Sequence, residues 1–128
     1  KLNFLPLVFD ASNPSPNQGW MQKERKGFFE RNKGKALIAL AFEHHLAIAK
    51  NIPLEEIIEW ITKLAPVGLI EFVPKTDETI KRMLENREDI FDKYNQLNFE
   101  KILINKKKII KKNIVSASGR IIYEFEIV

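Results

Sequence analysis

The sequence contains no cysteine and no long apolar run, and both absences restrict what the protein can be. Without cysteine, the chain forms no disulfide, has no thiolate nucleophile and offers a zinc ion no sulfur ligand. This absence fits a reducing compartment, and we expect a cytoplasmic location. No apolar run approaches the roughly 18 residues typical of a membrane-spanning helix, so we predict no membrane partner.

The amino terminus carries no recognisable targeting signal. Its first residues, Lys-Leu-Asn-Phe-Leu-Pro, contain too short an apolar stretch for a signal peptide. The first residue is not methionine, so we expect the chain to be cut from a longer protein. The 128 residues are 45% hydrophobic and 30% charged, which is enough for one domain with an apolar core.

The net charge is mildly positive, +4, and much of it lies in one lysine cluster. Such a cluster can be a nucleic-acid footprint or the solvated face of a late strand. It lacks the interleaved aromatic residues of proteins that bind single-stranded nucleic acids, which favours the solvated face. The lysine cluster comprises Lys106, Lys107, Lys108, Lys111 and Lys112.

The most informative stretch is Ala36–Leu46, an apolar run that ends in Glu43, His44 and His45. A continuous apolar run is typical of a strand buried on both faces of a parallel sheet. Ligands bind beyond the carboxyl ends of such strands, where these three polar residues would lie. The alternative is a core strand that leads into a helix with polar residues at its start.

The preceding residues predict an edge strand over Leu2–Phe9, because Pro6 cannot donate to a sheet ladder. Asp10 follows at the carboxyl end of this strand. A short helix over Met21–Asn32 is weakened by Gly27. Residues 36–42 are the predicted central strand, and residues 44–49 a short helix.

Two amphipathic helices and a second buried strand come next. Pro53 suits a first helical position, and Leu54, Ile57, Ile58, Ile61 and Leu64 form one apolar stripe. The strand Val67–Val73 contains Glu71, a carboxylate that needs a partner if buried. Thr76 is the predicted N-cap of a helix that runs to residues 87–91.

The carboxyl-terminal part predicts a helix over Leu97–Ile104 and then a hairpin. The hairpin strands are Lys108–Val115 and Arg120–Val128, joined by a turn at residues 116–119. The alternation of strands and helices predicts an α/β protein. Its sheet is mixed, with early parallel strands and a carboxyl-terminal antiparallel hairpin.

This arrangement resembles the class I S-adenosylmethionine-dependent methyltransferases, whose Rossmann-like sheet has the strand order 3-2-1-4-5-7-6 with strand 7 antiparallel. Ala-Leu-Ile-Ala-Leu-Ala-Phe-Glu-His-His-Leu resembles strand 4 and its loop, and Val-Gly-Leu-Ile-Glu-Phe-Val-Pro-Lys resembles strand 5. Residues 10–20, 86–91 and 118–123 resemble segments of a poorly characterised bacterial branch. The resemblance implies that residues 1–128 are the carboxyl-terminal portion of one methyltransferase-like domain.

The resemblance also implies cofactor-binding residues. Asp10, with Ala11 beside it, would follow strand 3 and accept a hydrogen bond from the adenine amino group of S-adenosylmethionine. The alternative for Asp10 is a loop cap that binds its own backbone. The methionine end of the cofactor would be flanked by the end of strand 4, namely Ala39, Leu40 and Ala41.

The acceptor side of such a site would contain Glu43, His44 and His45. Either histidine could act as general base for an oxygen or nitrogen acceptor, which the sequence does not identify. The structural alternative is a helix start or a pocket wall. Adjacent histidines point in different directions on a helix, so we predict no metal site. Asn13-Pro14-Ser15-Pro16 partly resembles the amine-binding motif of amino-methyltransferases, but without its aromatic residue.

Two features of the family are missing from the sequence. The five glycines are scattered, so there is no glycine-rich loop, and nothing corresponds to the acidic residue after strand 2. We therefore expect the isolated chain to be inactive and to bind S-adenosylmethionine too weakly to measure. Strand 4 would expose an apolar edge. Either strand 3 closes onto it, giving the order 3-4-5-7-6, or two copies form a homodimer through it.

A non-enzymatic function is the alternative. A methyltransferase-like module could bind nucleic acid or a protein partner, and the lysine cluster is the feature that favours this hypothesis. Steep salt dependence of binding would support it.

Overall fold

The computed structural model describes residues 3–128, which divide into two compact units after Lys33. In the first unit, residues 3–9 form no strand, and Phe4, Leu5, Leu7 and Val8 are exposed. The predicted strand Leu2–Phe9 is therefore wrong over residues 3–9, and Leu2 lies outside the described residues. Pro6 removes a backbone donor from this segment, which disfavours a sheet ladder.

The predicted helix Met21–Asn32 is also largely wrong. The structure has a 3-10 turn, Trp20–Gln22, and one helical turn, α1 (Phe28–Arg31). Met21 and Gln22 adopt left-handed backbone conformations. Gly27 lies between the two turns. Its buried backbone approaches residues 15–17 so closely that a Cβ would lie 2.6 Å from the Ser15 carbonyl oxygen, so a larger residue would not fit.

The second unit is an α/β layer built on a four-stranded mixed sheet. Its strands are β1 (Ala36–Ala39), β2 (Val67–Phe72), β3 (Lys108–Ile114) and β4 (Ile121–Glu126), in the spatial order β1-β2-β4-β3. β1 and β2 are parallel, whereas β4 is antiparallel to both of its neighbours. The predicted fold class, parallel early strands and carboxyl-terminal hairpin are confirmed.

β1 is the edge of this sheet and not a central strand. It is also shorter than the predicted residues 36–42, since the chain turns at Ala41 with a left-handed φ of 49°. The five-strand order 3-4-5-7-6 is wrong, because the described residues form a sheet of four strands. Gly68 permits the close pairing of β1 and β2, since a Cβ there would lie 2.5 Å from the Leu37 carbonyl oxygen.

The helices of this unit largely follow the predictions. A π-helical turn (His45–Ala49) precedes α2 (Leu54–Leu64), α3 (Glu78–Leu84) and α4 (Gln96–Lys106). Pro53 lies one residue before α2 in extended backbone. Asp77, and not Thr76, caps α3, because its side chain accepts a hydrogen bond from the Thr79 N–H. α3 ends at Leu84, several residues before the predicted end.

One face of the sheet forms the core. Phe99 of α4 lies 5.1 Å from the Phe72 ring and 5.2 Å from the Tyr123 ring, measured between ring centroids. The buried stripe of α2 lies in the same layer, because α2 contacts α4. On the other face, Ile38 is 69% exposed and Val67 is also exposed. No helix within residues 3–128 is both long and apolar enough to cross a membrane.

Candidate functional site at the carboxyl ends of β1 and β2

The chain leaves β1 through a strained turn. Ala39 is buried, Leu40 and Ala41 are exposed, and Ala41 has the left-handed backbone that side chains other than glycine rarely adopt. The Ala41 N–H donates to Glu71 Oε2 at 2.5 Å, which fixes this turn to β2. Such strain persists only where surrounding contacts enforce it, and it concentrates at functional sites.

Glu43 ties the end of β1 to the end of β2. Its carboxylate is 1% exposed, and Oε1 accepts from the Val73 N–H at 3.1 Å. The same oxygen lies 2.7 Å from the Tyr94 hydroxyl, which also lies 2.6 Å from the Val73 carbonyl oxygen. Burial, with the charge of Glu43 as the second cause, raises the pKa of Tyr94 well above its usual range. Tyr94 therefore stays protonated and holds this junction together.

The two histidines occupy different environments. His44 is 1% exposed. Its backbone N–H donates to Glu43 Oε2 at 2.7 Å, and its ring Nδ1 lies 3.2 Å from the same oxygen. His45 is exposed, with its ring centroid 4.2 Å from that of His44. Partial burial and the neighbouring His44 lower the pKa of His45, although Glu43 opposes the shift. Of the two predicted bases, only His45 is therefore open to a dissolved acceptor. We call Glu43, His44, Tyr94 and the Val73 backbone the Glu43 cluster.

A second polar cluster centres on Asp77. Arg120 donates to both oxygens of this carboxylate, from Nε at 2.8 Å and from Nη2 at 3.0 Å. Ser118 Oγ donates to Oδ2 at 2.5 Å. The Arg120 hydrogen bonds are the main reason why the pKa of Asp77 lies far below its usual range. Arg120 Nη1 also lies 4.0 Å from Glu71 Oε1, so the buried carboxylate in β2 has the partner that the sequence required.

Asp10 and Ala11 belong to the first unit. Asp10 Oδ1 accepts from the Ser12 N–H at 2.9 Å and from the Ser12 hydroxyl at 2.6 Å. These bonds are those of a loop cap, the alternative that the sequence left open. The predicted contact of Asp10 with adenine stays a prediction.

The residues present do not fit a complete S-adenosylmethionine site. Leu40 and Ala41 are exposed at the end of β1, but the five glycines are scattered and form no glycine-rich loop for the methionine part of the cofactor. No group of three or more histidine, aspartate or glutamate side chains within residues 3–128 could hold a metal ion. The exposed His45 side chain is able to accept a proton.

Carboxylates neutralise much of the lysine cluster. Lys106 pairs with Glu59 at 3.0 Å, Lys108 with Glu126 at 3.1 Å and Lys112 with Glu100 at 2.8 Å. Lys107 is 9% exposed. This arrangement weakens the positive field that a nucleic-acid phosphate backbone would require.

Sequence reasoning missed Tyr94, Asp77 and Arg120 as members of the two clusters. Tyr94 is 51 residues from Glu43, and Arg120 is 43 residues from Asp77, so no local spacing connects them. The signal in the sequence was Glu71, a carboxylate inside a predicted strand, which requires a partner if buried.

The chain is 55% identical over 124 residues to "Nodulation protein NoeA" of Rhizobium meliloti (strain 1021). The match covers 97% of the chain and 26% of that relative, so the chain spans about a quarter of the relative's length. No family model matches the sequence. No solved structure matches it significantly.

Proposed function

We propose that the chain forms the acceptor-side portion of an S-adenosylmethionine-dependent methyltransferase domain. The observation that carries this proposal is the strand order β1-β2-β4-β3, with β4 antiparallel between its neighbours. This order corresponds to strands 4-5-7-6 of the class I methyltransferase sheet. β4 lies between β2 and β3, although β3 precedes β4 in the sequence. This order is a specific feature, because consecutive strands of a sheet commonly lie side by side in sequence order.

The polar residues at the carboxyl ends of β1 and β2 support the same proposal. Ligands of open α/β sheets bind at this edge. The Glu43 cluster fixes both strand ends, so that a reacting group beside them would be held in one orientation. Orientation is the main contribution that a protein makes to methyl transfer, because the cofactor supplies the electrophile.

His45 is the residue we assign to proton transfer. It is exposed, and its lowered pKa keeps it neutral and able to accept a proton near neutral pH. The acceptor would be an oxygen or nitrogen nucleophile that loses its proton on methylation. We also infer a cytoplasmic location, which the absence of cysteine supports.

The test uses the full-length nodulation relative, because the chain covers a quarter of it. We expect isothermal titration calorimetry to show S-adenosylmethionine binding to that protein. Replacing the relative's residue that aligns with His45 by asparagine should retain cofactor binding and lower methyl transfer by about 100-fold or more. Absence of cofactor binding at millimolar concentration would overturn the proposal. Equal transfer rates in both proteins would overturn the role of His45.

A further inference from the structure

The second unit contains an open cavity of about 290 Å³ beside the Glu43 cluster. Its walls are the π-helical turn, the start of α2 and the segment that precedes α4. Half of the ten lining residues are aliphatic, two are the aromatic residues Phe91 and Tyr94, and three are polar or charged, namely Asn51, Asp92 and Lys93. Ile90 and Phe91 of this wall belong to the segment 86–91, which is among those that resemble the methyltransferase branch, yet neither has a role in the Glu43 cluster.

Arg87 fixes this segment to the opposite wall. Its Nη1 donates to the Ile48 carbonyl oxygen at 2.7 Å, and its Nη2 donates to Asn51 Oδ1 at 2.8 Å. The guanidinium carbon lies 5.1 Å from the centroid of the Phe91 ring. Arg87 therefore connects the two walls of the cavity.

Asp89 provides a second attachment. Both of its carboxylate oxygens lie 2.8 Å from Lys75 Nζ, and Oδ1 accepts from the Phe91 N–H at 3.0 Å. The hydrogen bond with Lys75 is the main cause that lowers the pKa of Asp89, so this carboxylate stays charged over the neutral range. Residues 86–91 are thus held at both ends of a short loop.

The attached loop holds apolar side chains at the cavity mouth. Ile90 is 62% exposed and Phe91 is half-buried. Leaving such surface in contact with water is unfavourable, and a ligand that covers it gains the corresponding free energy. Polar contacts that fix an otherwise apolar wall are the usual construction of a small-molecule site.

We propose that this cavity, which we call the loop cavity, binds a small aromatic group of one or two fused rings. If the proposed methyltransferase function holds, on which this assignment rests, the group belongs to the methyl acceptor. A volume of 290 Å³ lies just below the roughly 300–1,000 Å³ typical of ligand pockets, so it fits one such group and not a whole nucleotide cofactor. Asp92 and Lys93 both line the cavity, so their opposite charges offset each other and give the cavity no net preference for a charged ligand.

The test is an NMR titration of the chain with indole as the probe. We expect saturable shifts confined to the backbone amides of residues 47–52, Leu54 and residues 90–94. No saturable shift at low-millimolar indole, or shifts centred elsewhere, would overturn the proposal.

Two variants and a matched control sharpen the titration. Phe91→Ala and Ile90→Ser should each weaken indole binding about three- to tenfold, which is the range expected for one aromatic or apolar contact. Ile38→Ser changes an equally exposed isoleucine on β1 and should leave the affinity unchanged. Should Phe91→Ala fail to fold, Ile90→Ser carries the test, because Ile90 is mostly exposed. Equal weakening in all three variants would overturn the site.

Failure of this inference is distinguishable from failure of the proposed function, because indole binding needs no S-adenosylmethionine. Absence of indole binding, with cofactor binding intact in the full-length relative, overturns the loop cavity alone. Indole binding without any cofactor binding in the relative supports the cavity but overturns its assignment to a methyl acceptor.

Discussion

The Glu43 cluster and the loop cavity share Tyr94 but differ in every property relevant to ligand binding. At the hydroxyl end of Tyr94, buried polar atoms bind one another, and every fully buried side-chain nitrogen or oxygen within residues 3–128 has a hydrogen-bond partner. At the ring end, apolar side chains line an open cavity. The difference teaches that Glu43 and His44, which stand out in the sequence, hold the structure, whereas accessible surface lies at His45 and on the loop beside them.

The largest expected effect on stability is at the Glu43 cluster. Glu43→Ala should lower the free energy of unfolding by about 3–5 kcal/mol, because the buried N–H groups of Val73 and His44 lose their acceptor. Urea denaturation followed by circular dichroism measures this change. Glu55→Ala, an exposed position in α2, is the control and should change stability by less than about 0.5 kcal/mol. Similar losses in the two variants would show that the Glu43 cluster does not stabilise the fold.

Tyr94→Phe separates the two ends of the same side chain. Losing the hydroxyl removes the contacts with Glu43 and the Val73 carbonyl oxygen and should cost about 1–3 kcal/mol of stability. The ring remains, so the indole affinity of the loop cavity should stay unchanged. Denaturation and NMR titration on one sample test both statements. If Tyr94→Phe lost much of its indole affinity and kept its stability, the hydroxyl would belong to the ligand site and not to the structural cluster.

Two carboxylates whose pKa values are lowered in the folded state, Glu100 and Asp77, should make the stability depend on pH in acid. Hydrogen bonds from Gln96, Lys112 and Tyr123 lower the pKa of Glu100 from 4.5 to about 2, and Arg120 lowers that of Asp77. Because both pKa values are lower in the folded state, their contribution is fully present above the unfolded pKa, near 4 to 4.5. It is lost as the pH falls from there towards 2. Denaturation between pH 7 and pH 2.5 measures the slope.

The matched control for this acid dependence is Asp77→Asn, which removes one of the titrating groups. The variant should be less stable than the parent at pH 7, because the Arg120 pair is lost, and the difference should shrink towards pH 2.5. A difference that stays constant over this range would contradict the assignment of the pH dependence to Asp77.

The smallest effect on stability is expected at the cavity mouth. Ile90→Ser should change the free energy of unfolding by less than about 0.5 kcal/mol, because Ile90 is 62% exposed. The same variant should weaken indole binding. A stability loss comparable to that of Tyr94→Phe would mean that Ile90 belongs to the core and that the cavity is part of the folded interior.

The sequence predicted the second unit far better than the first. Periodic apolar residues located β2, α2, α4 and the hairpin, since burial of one face imposes the period directly. Leu2–Phe9 has strand composition but forms no strand, because pairing depends on a partner edge that local sequence does not specify. At Met21, the backbone conformation overrides helical composition.

The candidate site was predicted in part for the same reason. His44 and His45 are adjacent in sequence, yet the start of the π-helical turn buries one and exposes the other. Tyr94 joins Glu43 only through tertiary structure. Arg87 and Asp89 have no local pattern that reveals their contacts with Asn51 and Lys75. Residue type thus indicated the chemistry, and the fold determined which side chains are accessible.

The most direct test of the methyltransferase proposal is calorimetry with S-adenosylmethionine on two proteins in parallel. One is the 128-residue chain, and the other is the full-length nodulation relative that shares 55% identity with it. We predict binding by the relative and none by the chain, whose sequence has no glycine-rich loop. Absence of binding by both proteins would contradict the methyltransferase proposal. Micromolar binding of S-adenosylmethionine by the isolated 128-residue chain would contradict the assignment of this chain to the acceptor side.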